Sequence, residues 1–170
     1  MYNNLQYKDG GRIQDGVGLI TSILLRYPEV GAVHYWREQH ALKFTFMIEQ
    51  HQEASSFQEV LKPALEFFHQ LERQSMRVFD IASRSEETIC VITVTRDVDS
   101  MTQREVGLIV ELLKRKYKKK LIYDDIILPE DEQIFQEELI SRMLSSIQTH
   151  DSDKNVVALR EEGRVLVFKS

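Results

Sequence analysis

The chain has 170 residues, of which 42% are hydrophobic and 29% are charged, and its formal net charge is −5. These proportions are close to those of ordinary globular proteins, so they exclude a largely disordered or fibrous chain. The apolar runs reach only six or seven residues, whereas a membrane-spanning helix needs roughly 18 or more. The acidic balance also disfavours a general nucleic-acid-binding protein, because such proteins neutralise many phosphates.

Cys90 is the single cysteine, so the chain forms no internal disulfide and offers no cysteine cluster to a structural zinc ion. The first residues are polar and have no apolar run after a basic start, which argues against a secretory signal. We expect a flexible tail at 1–12, a single α+β domain at 13–170 and a cytoplasmic location. No cofactor and no metal site is expected.

The first third of the chain predicts one helix and one hairpin. Apolar residues are spaced along one helical face from Gly16 to Tyr27, and Pro28 ends that run. Two β-rich segments, 31–36 and 41–48, flank a polar stretch and predict an antiparallel hairpin. In the second strand, alternate residues including Phe44 and Phe46 share one face, which we expect to be core.

The middle of the chain repeats this order. A capping box of Ser56 and Glu59 predicts the start of a second helix, and Pro63 inside it is expected to bend it or to mark its first turn. Strands at 76–83 and 88–95 are expected around a turn at 84–87. Cys90 lies in the more apolar of these strands, where a free cysteine is typically a small buried hydrophobe.

The last third predicts two helices and a closing hairpin. Thr102 and Glu105 form a capping box for a helix that ends near Tyr117, and a short strand follows at 121–123. A further helix is expected at 131–148. Strands at 155–160 and 164–169 then enclose a three-residue loop, in which Gly163 suits a positive φ.

This order of elements predicts an α+β fold, with an antiparallel sheet and helices packed on one face. Residues 41–127 follow the βαββαβ order of a ferredoxin-like plait, so we expect a plait-like core at about 31–127. A C-terminal helix and β-hairpin, at about 129–170, would extend it. Residues 31–36 and 121–127 compete for the sheet edge beside strand 41–48, and the sequence leaves that choice open.

Several constellations invite a chemical function. The glycines from Gly11 to Gly18 lack the Lys-Ser/Thr of a phosphate-binding loop. His34 and His40 lie on one hairpin, where we expect that they can face each other, although a polar hairpin edge explains them better. Asp124 and Asp125 are candidates for acid–base or divalent-metal chemistry. The nearby acidic residues at 130–132 fit the dipole at the start of the following helix.

The densest charge lies in what we call the basic run, which has six cations in seven positions: Lys114, Arg115, Lys116, Lys118, Lys119 and Lys120. Cations favour a helix C-terminus, but neighbouring like charges repel by about 0.2–0.5 kcal/mol per pair. The run therefore has three interpretations. It is a plain solvated surface or pairs with the acidic helix at 130–138, it binds another protein, or it binds RNA or DNA.

Trp36 is the aromatic residue that we expect to be partly exposed, because it lies at a hairpin tip and can anchor a protein contact. Our first hypothesis is a small cytoplasmic binding or regulatory protein, without catalysis, that contacts another protein or itself through strand edges, the basic run and Trp36. The alternative is an RNA- or ribosome-associated factor that uses the basic run. A second alternative is a small enzyme or ligand-binding domain that uses Asp124, Asp125, His34 or His40.

Overall fold

The computed structural model describes residues 15–49, 54–149 and 154–169. Within these ranges the chain forms four helices: α1 (Asp15–Arg26), α2 (Ala54–Leu71), α3 (Gln103–Tyr117) and α4 (Glu130–Thr149). It also forms seven strands: β1 (Ala32–Trp36), β2 (Ala41–Glu49), β3 (Phe79–Glu86), β4 (Ile89–Asp97), β5 (Leu121–Ile122), β6 (Val156–Glu161) and β7 (Arg164–Lys169). None of the described helices is long and apolar enough to cross a membrane.

The strands form one antiparallel sheet in the order β3-β4-β2-β1-β6-β7, and β5 also pairs with β2. The longest pairing joins β2 to β4, from Ala41 opposite Asp97 to Glu49 opposite Ile89. Both strands are therefore interior strands of the sheet. The mixed α+β architecture with an antiparallel sheet is confirmed as well.

The ferredoxin-like topology is not confirmed, because two strands, β1 and β5, pair with the same edge of β2. β1 pairs with β2 over residues 41–45, whereas β5 pairs only with Met47 and Ile48. Both competing segments therefore contact β2, and β6 covers the other side of β1. The C-terminal hairpin continues the sheet instead of forming an extension outside it. A four-stranded plait does not describe this seven-stranded order.

One face of the sheet carries the core. The alternate strand residues that point towards the helices are at most 1% exposed: Val33, Tyr35, Leu42, Phe44, Phe46, Ile48, Cys90, Ile92, Val94, Val156 and Ala158. Burial of each large apolar side chain is worth about 1.5–3 kcal/mol, so this layer is the main source of stability. The predicted core positions of Phe44, Phe46 and Cys90 are confirmed. We call the opposite side of the sheet the open face.

The helices lie against the buried face. α1 contacts β1, β6, β7 and α4, and every residue from Gly16 to Leu24 is buried. α2 contacts β3 and α3. Since α1 is covered both by strands and by another helix, its sequence has apolar or small residues nearly all round, as a buried helix requires.

Two of the predicted helix starts had different outcomes. Thr102 is the N-cap of α3, and its Oγ1 accepts a hydrogen bond of 3.2 Å from the Glu105 backbone N–H. The Ser56 capping box is wrong, because α2 begins at Ala54 and Ser56 lies inside it. Pro63 lies within that same helix, so it does not mark the first turn.

The hairpin turns are tighter than the sequence indicated. The whole of β3 lies three residues later in the chain than predicted and ends at Glu86. The β3–β4 turn therefore consists of Glu87 and Thr88, not residues 84–87. The β6–β7 turn consists of Glu162 and Gly163, with φ values of 49° and 75°. Two positive φ values match the twist of a two-residue hairpin. The positive φ of Gly163 is thus confirmed, but the loop is one residue shorter than predicted.

Candidate interaction surface

The open face differs between its two halves. On β1, β6 and β7 it carries apolar residues, which pair across the strands as Ala32–Leu159–Leu166 and His34–Val157–Phe168. On β2, β3 and β4 it is largely polar, with rows such as Asp80–Thr95–Lys43. We call the first set, together with Trp36, the apolar strip. It consists of Ala32, Trp36, Val157, Leu159, Leu166 and Phe168.

Trp36 lies at the end of the apolar strip, and 38% of its surface is exposed, which confirms its predicted partial exposure. It is not the one exposed aromatic residue, however, because Phe67, Tyr123, Phe135 and Phe168 are 41–62% exposed. The His34 ring packs against its edge at 5.1 Å between centroids. The Lys43 ammonium lies 5.4 Å from the centre of the indole, within the range of a cation–π contact. Burial, followed by the charge of Lys43, lowers the pKa of His34. These neighbours hold Trp36 in place, and part of its ring stays in contact with solvent.

The two edges of the sheet also differ. β3 and β7 end the strand order, so among the described residues each has one edge without a paired strand. The open side of β3 carries charges at Asp80, Arg84 and Glu86, which protect an edge against added strands. β7 carries charges only at its ends, Arg164 and Lys169, around the apolar stretch 165–168. Only the β7 edge is both apolar and adjacent to the apolar strip.

The basic run covers the end of α3 and the 3₁₀ turn Lys118–Lys120 that follows it. Lys114 Nζ lies 3.3 Å from Glu29 Oε1, and Arg115 Nε lies 3.2 Å from Glu111 Oε1. The other four cations are exposed. Among the described residues, no carboxylate lies within 4.0 Å of these four: Lys116, Lys118, Lys119 and Lys120.

The ion pairs of the basic run therefore involve Glu29 and Glu111, and in the described part of the chain none joins it to the acidic helix at 130–138. That helix pairs elsewhere, since Glu137 Oε2 lies 3.3 Å from Arg26 Nε. The acidic residues at 130–132 occupy the first turn of α4, where they complement the helix dipole.

The residues considered for acid–base or metal chemistry are not brought together. Asp124 and Asp125 are exposed in the segment between β5 and α4. His34 lies opposite Lys43, whereas His40 Nδ1 lies 3.0 Å from Asp99 Oδ1. The expectation that the two histidines face each other is therefore wrong. Within the described ranges, no group of three or more His, Cys, Asp or Glu residues is placed to hold a metal ion.

Between α1 and α3 lies a polar cavity of about 360 Å³. Most of its polar side chains are already engaged, in ion pairs of 3.3 Å and a hydrogen bond of 2.7 Å: Arg26–Glu137, Lys114–Glu29 and Gln103–Tyr27. Burial raises the pKa of Tyr27 to about 12, so its hydroxyl stays protonated at neutral pH. The cavity thus offers a small ligand few groups that are not already paired.

A buried polar cluster lies where β4 meets the helices, and the sequence did not reveal it. Its centre is Arg96, which is fully buried. The guanidinium donates to the Val78 carbonyl at 2.9 Å, to Ser100 Oγ at 3.0 Å and to Glu105 Oε1 at 2.9 Å. His69 Nε2 lies against Glu105 Oε1. The cluster joins β4, the start of β3, α2 and α3.

The cluster contains residue types that are common in catalysis, but the members are 0–8% exposed: His69, Arg96, Asp97, Ser100 and Glu105. A substrate would have no access to them without a rearrangement. Their opposite charges are paired inside the protein, and breaking such a pair is costly. The arrangement therefore indicates a structural role.

The pKa of the Asp97 carboxyl group is shifted by its surroundings in the cluster. Burial raises its pKa, but hydrogen bonds with Ser100 and the Val78 backbone, and the charge of Arg96, outweigh burial and lower the pKa to about 2. Asp97 Oδ1 also accepts from the backbone N–H groups of Arg77 and Val78, at 3.0 and 2.9 Å. The carboxylate thus fixes the chain just before β3.

Two signals in the sequence pointed to this cluster. Arg96 and Asp97 end an otherwise apolar strand, where alternation places Arg96 on the buried face. Glu105 occupies the third position of α3, where a capping box would return its side chain to the Thr102 backbone. Its carboxylate instead contacts Arg96 and His69. Neither signal identifies the residues that Arg96 contacts in the fold, because His69 is 27 residues away from Arg96 along the chain.

No family model matches the chain, and no curated protein or solved structure is significantly similar to it.

We predict that Arg96→Leu lowers the free energy of unfolding by about 3–5 kcal/mol, because it leaves the carboxylates of Asp97 and Glu105 buried without their cation. The matched control is Arg84→Leu on neighbouring β3, where the side chain is exposed. This control should change stability by less than about 0.5 kcal/mol. Urea unfolding measures both, and equal stabilities of the two variants would contradict a structural role for the cluster.

We predict that Asp97→Asn destabilises the protein at pH 7 by roughly 2 kcal/mol. The folded-state pKa of about 2 lies below the ordinary value of 3.8. The ionised carboxylate therefore stabilises the fold at pH values above 3.8, and this contribution is lost as the pH falls towards 2. Urea unfolding at pH 7 and near pH 2 should show a difference between wild type and variant that shrinks in acid. A difference independent of pH would contradict the assignment.

Proposed function

We propose that the protein is a non-catalytic binding or regulatory protein that acts through protein–protein contacts at the apolar half of its sheet. The observation that carries this proposal is β7, an edge strand with apolar residues between its two terminal charges. Among the described residues no strand pairs with its outer edge, so the backbone N–H and C=O groups on that edge can pair with an added strand. The apolar strip alongside supplies side-chain contacts for the same partner.

The exposure of the apolar strip supports the same proposal. Phe168 is 53% exposed and Trp36 is 38% exposed, and the half-buried residues Val157, Leu159 and Leu166 connect them. Contiguous apolar residues on a surface typically mark an interaction site, whereas scattered ones do not. A large aromatic residue at the margin of such a surface is a common anchor of protein interfaces.

An enzymatic function receives less support from the geometry. Asp124 and Asp125 lie in an exposed segment, and His34 and His40 have separate environments. The catalytic residue types that do converge, in the cluster around Arg96, are buried. A protein-binding function does not require these side chains to lie close together in an accessible site.

We predict that a photo-crosslinking amino acid at position 166 forms covalent adducts with protein in the cell that expresses this chain. The same amino acid at position 82 is the control, because Ala82 lies on the open face at the protected edge, on β3. Adducts at 166 that exceed those at 82 would support the proposal. Equal yields at the two positions, or none at either, would contradict it.

RNA binding through the basic run is a second candidate, supported by four exposed lysines without an acidic neighbour within 4.0 Å among the described residues. If they contact phosphates, the slope of log affinity against log salt should fall by about 3 when all four become Glu. Lys62→Glu with Arg73→Glu, both exposed on or near α2, is the control. Filter binding with a mixed RNA pool measures the slope, and no binding by wild type at low salt would contradict this candidate.

A further inference from the structure

The charges and side-chain faces of β7 indicate which partner strand its edge can accept. We infer that the partner is a second copy of this chain, paired antiparallel through β7 about a two-fold axis, with Leu166 opposite the partner's Leu166. This inference rests on the proposed function and specifies its partner. It predicts a continuous sheet in which the two open faces lie on the same side.

The charges at the ends of β7 select the antiparallel direction. A parallel pairing in register would place Arg164 beside the partner's Arg164 and Lys169 beside the partner's Lys169. Like charges directly opposite one another destabilise a strand pair. An antiparallel pairing separates these equal charges, and the two-fold axis closes the assembly at two chains.

Charge also selects the register. If Leu166 lies on the axis, Arg164 is opposite the partner's Phe168, where a guanidinium can contact an aromatic ring. Lys169 is then opposite the partner's Gly163, next to the partner's Glu162 in the β6–β7 turn. A shift by one residue would instead place Arg164 opposite the partner's Lys169. It would also place the open face of one copy on the same side of the joined sheet as the helix-covered face of the other copy.

The faces of the two copies match in this register. Leu166 and Phe168 belong to the open face, whereas Val165 and Val167 pack against the core. Pairing Leu166 with itself brings the two apolar strips side by side. The protected β3 edges remain outside, so the assembly does not continue into a fibre.

The length of the contact sets its strength. β7 has six residues, which at about 3.3 Å per residue make an edge of roughly 20 Å. A single pair of strands this short forms a smaller contact than a standard protein interface, which buries roughly 800 Å² per partner. We therefore expect a reversible dimer, the proportion of which rises with protein concentration.

A charge exchange at position 166 tests the pairing. In Leu166→Lys, two ammonium groups face each other across the axis, and the dissociation constant measured by analytical ultracentrifugation should rise at least tenfold. Leu166→Glu should act in the same way. An equimolar mixture of the two variants should recover most of the wild-type association, because Lys then faces Glu.

Leu159→Lys is the matched control, since Leu159 is the neighbour of Leu166 on β6, on the same face but away from the edge. It should weaken association far less than Leu166→Lys. A misfolded variant would not be rescued in the mixture, so recovery separates pairing from loss of structure. Failure of the mixture to associate more tightly than either variant alone would overturn the inference.

A disulfide tests the register. Directly opposite residues in an antiparallel pair have Cα atoms about 4.5–5.5 Å apart, within the range that a disulfide spans. Leu166→Cys should therefore form a covalent dimer under mild oxidation, while Cys90 is buried and stays unreacted. Phe168→Cys should not, because position 168 lies opposite the partner's Arg164. A higher yield from Phe168→Cys would overturn this register.

The outcomes separate this inference from the proposed function. A wild-type chain that stays monomeric over a hundredfold range of concentration would overturn the self-association. Photo-crosslinks from position 166 to other proteins would then still support the proposed function. If position 166 forms no adducts in the cell, the proposed function fails as well.

Discussion

The guanidinium of Arg96 joins four parts of the structure that lie far apart in the chain. It bonds to the carbonyl that precedes β3, to the loop after β4 and to Glu105 of α3, and it lies 3.0 Å from His69 Nε2 of α2. A buried guanidinium without carboxylates would be very unfavourable, and so would the carboxylates without the guanidinium. The position of α2 and α3 over the sheet therefore depends on this one cation.

The two halves of the sheet differ in the residues of their open faces. In the half that contains β3 and β4, the cluster and the apolar core fix both helices, and the open face is polar enough to remain in water. In the half that contains β1, β6 and β7, the core side is filled by α1, but the open face is apolar. Contiguous apolar residues on a surface typically mark an interaction site. This asymmetry is the physical basis for proposing an interaction surface on the apolar half.

The secondary structure could be predicted because it depends on local patterns. The spacing of apolar residues located four helices, and alternation identified the buried faces of β2 and β4. The errors arose where two residues compete for one local role. Ser56 has the chemistry of an N-cap, yet α2 begins before it, and the β3–β4 turn moved because Arg84, Ser85 and Glu86 remain in the strand.

The sequence by itself determined the order and type of the elements, the buried faces of β2 and β4, the exposure of Trp36 and the positive φ of Gly163, since each depends on residues close together in the chain. Only the tertiary structure decided the sharing of β2 between β1 and β5, the partners of Arg96 and the separate surroundings of His34 and His40. These depend on contacts between residues far apart in sequence, for which no local pattern exists. The β7 edge lies between the two cases, because its apolar stretch is visible in the sequence, whereas its position at the end of the described sheet follows from the strand order.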